Sequence, residues 1–170
     1  MTDTEHNTQA HVSITDTEQH TETHATFVIE RTFDVPLQRV WHALSDNAAR
    51  DQWFGGGSEF DLEEKSHDFR VGGRAVESGQ WHGGPRSRFE ATYTDIVEHH
   101  RIVFSYDMWA NERHMSTSLT TIVLEPVSGG TRLSYTEQGV HFDGLDTVEG
   151  REAGTRGLLD NLGAVLARLS

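Results

Sequence analysis

Residues 31–54 read RTFDVPLQRVWHALSDNAARDQWF, and three glycines follow at 55–57. The preceding stretch, TFVIERTF at 26–33, is rich in β-branched and aromatic residues. It alternates through Phe27, Ile29, Arg31 and Phe33, which predicts a strand. Asp34 then stands where a helix cap would, and Pro36 fits a first helical turn, whose N–H groups have no partner anyway. Leu37, Val40, Trp41 and Leu44 recur at helical spacing and give one apolar face. Ser45-Asp46-Asn47 ends that helix and caps a short second one over 48–54, with Trp53 and Phe54 on its last turn.

This order fixes the meaning of the glycines. A phosphate loop runs from strand through glycine to a helix N-terminus, whose N–H groups and dipole meet the anion. Here a helix comes first, the glycines follow, and WFGGGSEF (53–60) turns into a strand. Gly55 suits a helix C-cap, an end that carries partial negative charge and repels phosphate. No Gly-Lys-Ser/Thr follows. The glycines are turns.

Beyond Gly57 the pattern is β-like for some eighty residues. Candidate strands cover 59–64, 67–71, 74–80, 89–98, 101–108, 116–125 and 131–138. Gly72-Gly73, Gly83-Gly84-Pro85, Glu98-His99-His100 and Ser128-Gly129-Gly130 mark turns between them. Such short connections require antiparallel neighbours. Leu133 and Tyr135 alternate with Arg132, Ser134 and Thr136, and Ile122 and Leu124 with Thr121 and Val123, so one sheet face is apolar. A long helix over 148–169 closes the chain. Leu158, Leu162, Val165, Leu166 and Leu169 form a stripe that must lie against the sheet.

Composition bounds the rest. One core suits 170 residues. The sequence has no cysteine, so disulfides, thiolate metal sites and cysteine nucleophiles are excluded, and a cytoplasmic location is expected. No apolar run has the length of a membrane span, so no membrane partner is expected. The net charge of −13, with Lys65 the only lysine, argues against a nucleic-acid partner. Residues 1–23 carry five acidic side chains and no Lys or Arg, which predicts a disordered tail. Its histidines, His6, His11 and His20, with His24 just beyond, lack the regular spacing of a metal site. The domain itself contains neither His-Glu-x-x-His nor Gly-x-Ser-x-Gly, so no metal, cofactor or serine nucleophile is expected.

The resulting fold is α+β: a curved antiparallel sheet of six or seven strands wrapped on a long C-terminal helix, with two short helices after the first strand. This is the helix-grip arrangement. RTFDVPLQRVWHALSDNAARDQWF (31–54), FRVGGRAVESG (69–79), FEATYTDIVEHHRIVFSYD (89–107), TIVLEPVSGGTRLSYTEQG (121–139) and the closing GLLDNLGAVLARL occur in that order. Together they resemble the START-like, or SRPBCC, superfamily with the birch-pollen-allergen fold. Within it the sequence is most similar to domains related to the activator of the heat-shock protein 90 ATPase. The resemblance spans roughly residues 25–169. It implies a cavity between sheet and long helix, edged by the second short helix and the strand-connecting loops. Gly150, Gly154, Gly157 and Gly163 would face the sheet and leave room for a ligand; alternatively the first two belong to a loop before a shorter helix.

The cavity candidates are the aromatics Trp53, Phe54, Trp81, Phe104, Tyr106, Trp109 and Phe142, with Leu158 on the helix. Arg74, Glu77, His114 and Tyr135 are the polar groups that would fix a ligand. A base with an orienting partner, such as His114 with Glu77 or Glu137, is what a reaction would need. The expected function is binding of a small, largely apolar or aromatic molecule without catalysis. A polyketide cyclase or hydrolase using the same cavity is one alternative, and a chaperone-associated interaction domain with a protein partner is another. The expected state is a monomer or a homodimer.

Overall fold

The computed structural model describes residues 20–168, so the tail expected at 1–23 lies almost wholly outside the described residues. The chain runs β1 (Glu22–Phe33), α1 (Leu37–Ser45), α2 (Asn47–Arg50), β2 (Phe60–His67), β3 (Arg74–Trp81), β4 (Arg86–Val97), β5 (Arg101–Ala110), β6 (Arg113–Val127), β7 (Gly130–Phe142) and α3 (Val148–Arg168). A single seven-stranded antiparallel sheet has the order β1-β7-β6-β5-β4-β3-β2. The helix-grip architecture read from the sequence is therefore the architecture observed.

Several local expectations change, each for a physical reason. β1 begins at Glu22 rather than Thr26, because β7 runs on to Phe142 and offers Glu22 a ladder partner. The stretch at 67–71 is not a strand. After His67 the chain makes a tight turn in which Gly73 passes so close to the Asp68 carbonyl that a Cβ would sit 2.1 Å from it. Phe69 alternates like a strand residue, but its ring packs edge-on against Trp41 and Tyr93.

Asp34 caps nothing: Pro36 holds the N-cap of α1, with no side-chain hydrogen bond. Asp46 does cap α2, accepting from the Ala49 N–H at 2.9 Å. That helix ends at Arg50, and Trp53 and Phe54 follow in a tightening turn whose N–H groups both bond the Arg50 carbonyl.

On α3 the buried face is Arg151, Thr155, Leu159, Leu162, Val165 and Leu166. Leu158 is only half-buried, and Leu169 lies outside the described residues. Each fully buried aliphatic side chain contributes about 1.5–3 kcal/mol relative to exposure. All four glycines lie inside α3. Gly154 and Gly157 have open space where a Cβ would be and are exposed, while Gly163 meets Phe33. The expected void beneath Gly154 and Gly157 is absent.

The sheet's concave face carries Phe27, Ile29, Ile102, Ile122, Leu124 and Leu133, on which α1 and α3 pack. α3 meets β1 and α1. The helices thus cover the β1 side more fully than the centre.

Candidate functional site

Side chains on a strand alternate between faces, so β5 presents Ile102, Phe104, Tyr106 and Met108 to one side and Ser105 and Asp107 to the other. The first set packs on the core. β5 is the middle strand of seven, and Phe104 lies near its centre, yet Phe104 remains partly accessible, as do Phe89, Met108 and Tyr135. A ring at the centre of a concave face keeps accessible surface only where no helix lies on it.

Ring contacts join this floor into a row. Phe54 meets Phe89 at 5.4 Å, and Phe89 meets Tyr106 at 5.1 Å. A buried arginine stands at each end. The Arg50 guanidinium lies 3.6 Å over the Phe54 ring, and that of Arg151 lies 5.5 Å over Tyr106.

At the Arg151 end the polar groups satisfy one another except His141 Nδ1, which is buried 3.5 Å from Asp146 Oδ2 without a hydrogen bond. Glu137, 1% exposed, accepts at Oε1 from Tyr106 (2.7 Å) and Ser118 (2.9 Å), and at Oε2 from Tyr135 (3.2 Å). Arg151 donates through Nη1 to Tyr106 (2.9 Å) and Glu137 (3.4 Å), and through Nη2 to Ser116 (2.7 Å) and Asp146 (2.5 Å). Burial works to lower the Arg151 proton affinity. The combined influence of Tyr106, Asp146 and Glu137 outweighs it and holds the value up. Burial pushes the Tyr106 and Tyr135 hydroxyls well above the ordinary phenol range, so both stay protonated donors. Both oxygens of this carboxylate are thus hydrogen-bonded within the protein, in a side chain almost wholly buried.

The Arg50 end is different. Arg50 is 6% exposed, and its guanidinium makes no hydrogen bond or ion pair with any described residue. Burial lowers its proton affinity, against the charges of Tyr93, Glu77 and Asp51. Glu77 stands directly opposite Phe89 across the β3–β4 ladder. Its Oε2 is buried without a hydrogen bond, and the nearest cation, Lys65 Nζ, is 3.6 Å away and 2.7 Å from Asp51. Burial pushes the Glu77 carboxyl up.

Gly55, at φ +118°, passes over this carboxylate, and a Cβ there would lie 2.8 Å from Oε1. The glycine therefore serves close approach as well as turn geometry. Nearby, His67 Nδ1 meets Asn47 Oδ1 at 2.6 Å and Nε2 meets the Tyr93 hydroxyl at 2.7 Å. Burial first, and the Arg50 charge second, bring His67 down to about 4, so it is neutral at ordinary pH.

The structure thus brings Phe54, Glu77, Phe104, Tyr106 and Tyr135 to the concave face or its rim. Trp53 packs beside Phe54, with its indole N–H bonded to the Ala43 carbonyl at 2.8 Å. Leu158 lies on α3, and Trp81 sits at the edge against Phe60. Arg74, Trp109, His114 and Phe142 belong to the convex face. Arg74 pairs with Glu90 there, and His114 stacks on Trp109 at 4.3 Å while bonding Asp107. His114 therefore meets neither Glu77 nor Glu137.

Two recesses, of about 160 and 390 Å³, open on that convex side. The smaller is lined mainly by polar groups, among them Arg74, Glu90 and Asp107; the larger sets Trp109 beside Arg86, Arg88 and Glu90, and Arg74 and Arg88 both pair with Glu90. Among the described residues no cluster of His, Asp and Glu is arranged to hold a metal ion, and no helix is long and apolar enough to cross a membrane.

The sequence reading passed over both arginines. Arg151 stands four residues before Thr155 and eight before Leu159, on the helix's buried face, a spacing visible in the sequence. Arg50 precedes Phe54 by four residues, which places a cation over a ring if the turn stays helical.

Known proteins fit this geometry. A protein from Rhizobium leguminosarum superposes with a TM-score of 0.84 at 38% identity, covering 88% of this chain and 99% of that one. The Mll3558 protein from Rhizobium loti is 50% identical, with a TM-score of 0.76, covering 85% and 99%. An AHSA1-like protein from Aeromonas hydrophila shares the fold at 22% identity and a TM-score of 0.64, covering 85% and 94%. No curated protein matches the sequence. The model of the activator of Hsp90 ATPase homolog 1-like family matches residues 34–167, and the chain belongs to that family.

Proposed function

We propose that the protein binds a small, largely apolar or aromatic molecule between the concave face and α3, without catalysing a reaction on it. The observation that supports this reading is the partly accessible floor of Phe89, Phe104 and Met108 on the concave face, with Phe54 in ring contact with Phe89 at its rim. Apolar walls with a few placed polar groups are the ordinary form of a small-molecule site. Catalysis is disfavoured at the Arg151 end because Glu137 is buried and hydrogen-bonded at both oxygens. A general base needs reach to a substrate proton.

A protein partner is disfavoured too. Val28 and Leu119 are exposed, but Thr136 and Gln138 of β7 stand beside them in the ladders, so they form no broad apolar patch.

The test is thermal denaturation against flavonoids, aromatic polyketides and lipids. At a hundredfold excess over Kd, a ligand stabilises by about 2.7 kcal/mol, or roughly 5–10 °C in a domain of this size. At least one aromatic class produces such a shift, and Phe104→Asp removes it. No shift from any class would overturn the reading.

A further inference from the structure

Within that binding reading, on which this inference rests, the two ends of the aromatic row differ in what they leave unsatisfied. A buried polar group without a partner is costly, and native structures place few of them without a reason. Arg50, 6% exposed, has five N–H donors that keep a narrow contact with solvent, and no described residue accepts from any of them. Glu77, 9% exposed, has the buried oxygen Oε2 without a donor. The two are near enough for each charge to act on the other, yet they form no ion pair.

The neighbouring groups do not close the gap. Lys65 Nζ stands 2.7 Å from Asp51 and 3.6 Å from Glu77 Oε2, an ion pair too long for a hydrogen bond, and His67 and Tyr93 bond each other, with Asn47 on the far side of the imidazole. What remains is a set of donors and one acceptor, both beside residues 54–55. The guanidinium lies on the Phe54 ring, and the carboxylate lies under Gly55 and next to Phe89.

We propose that Arg50 and Glu77 form a subsite for a phenolic or enolic hydroxyl on the bound molecule. Arg50 donates to the hydroxyl oxygen, and the hydroxyl donates to Glu77 Oε2. One group then satisfies both orphans at once, and its ring continues the aromatic row at Phe54 and Phe89. A carboxylate fits less well, since it answers Arg50 but brings a second negative charge against Glu77. An ether or ketone answers Arg50 and leaves Oε2 without a donor. A site built to hydrogen-bond a hydroxyl rejects analogues lacking it strongly, because its own buried groups are then left unpaired.

The test is calorimetric titration of the full chain with 2-naphthol, 2-methoxynaphthalene and 2-naphthoate, repeated on Arg50→Met and Glu77→Leu. Circular dichroism confirms that each variant is folded. The wild type binds 2-naphthol at least tenfold more tightly than the methyl ether. Glu77→Leu reduces that ratio to within about twofold while keeping its affinity for the ether, and Arg50→Met weakens binding of naphthol and ether alike. Equal binding of naphthol and ether by the wild type, a comparison that needs no variant, overturns the subsite and leaves the aromatic floor standing. Tighter binding of 2-naphthoate than of 2-naphthol, lost in Arg50→Met, also overturns it and makes this an anion site. If none of the three probes binds, the aromatic-floor reading fails, and the subsite with it.

Discussion

Arg50 and Arg151 occupy opposite ends of one aromatic row, and both are buried, yet their surroundings oppose each other. Arg151 has acceptors from β5, β6, β7 and the segment before α3, and their influence overcomes burial. Arg50 has a ring beneath it and no acceptor, so burial prevails. A saturated buried network fixes the fold, because each member would be costly alone. An unsaturated one of similar depth leaves room for a guest. The end richest in hydrogen bonds is therefore the structural end, and the sparser one is where recognition is expected.

The strongest way to break this contrast is Arg151→Met. It strands Glu137 and Asp146 in the interior, and removing one partner of a buried ion pair costs about 3–5 kcal/mol. Urea denaturation reads this directly; a loss under about 1 kcal/mol would show that the network is not structural.

A middle-sized effect belongs to His67. Its folded value of about 4 lies below the ordinary 6.5, so below about pH 6.5 the unfolded chain takes up a proton that the folded chain refuses. Stability from this group is complete above that point, declines as pH falls toward 4, and changes no further below. The ring is only half-buried, so after discounting for solvent screening the loss is roughly 1 kcal/mol. His67→Gln keeps hydrogen-bonding capacity without titrating. The difference between wild-type and variant stability should narrow across that window, and a constant difference would contradict the assignment.

The smallest effect is expected from Arg50→Met. Replacing an unpaired buried cation by an apolar side chain of similar length changes stability by about 1 kcal/mol or less, since the lost ring contact offsets the relieved desolvation. A loss near that of Arg151→Met would remove the contrast.

The architecture was legible because it rests on local signals. Alternation in β5–β7, the glycine turns and the apolar stripe of α3 each speak within a few residues. β2 was harder. Its residues FDLEEKSH are polar on both faces at the sheet edge, while Phe69 and Val71 in the following turn imitate a strand.

The site was only partly legible. Phe54, Glu77, Phe104, Tyr106 and Tyr135 follow from strand faces and the rim position, whereas Trp109 and His114 look identical in type but point outward beside a bulge between β5 and β6. Arg151 takes its role from partners as much as 45 residues away. No local period reports such partners. The mismatch at Arg50 is harder still, since an absent acceptor leaves no mark in sequence.

The central claim is that an aromatic guest lies on the floor formed by Phe89, Phe104 and Met108. Met108 stands opposite Phe89 in the β4–β5 ladder and packs on the core, so its methyl group reports from that floor. With the methionine methyls labelled with carbon-13 and Met108 assigned through Met108→Leu, titration with 2-naphthol should move the Met108 resonance by the ring current of the bound guest, saturating with the calorimetric affinity. A Met108 methyl that stays in place while 2-naphthol binds would locate the guest elsewhere and contradict the account.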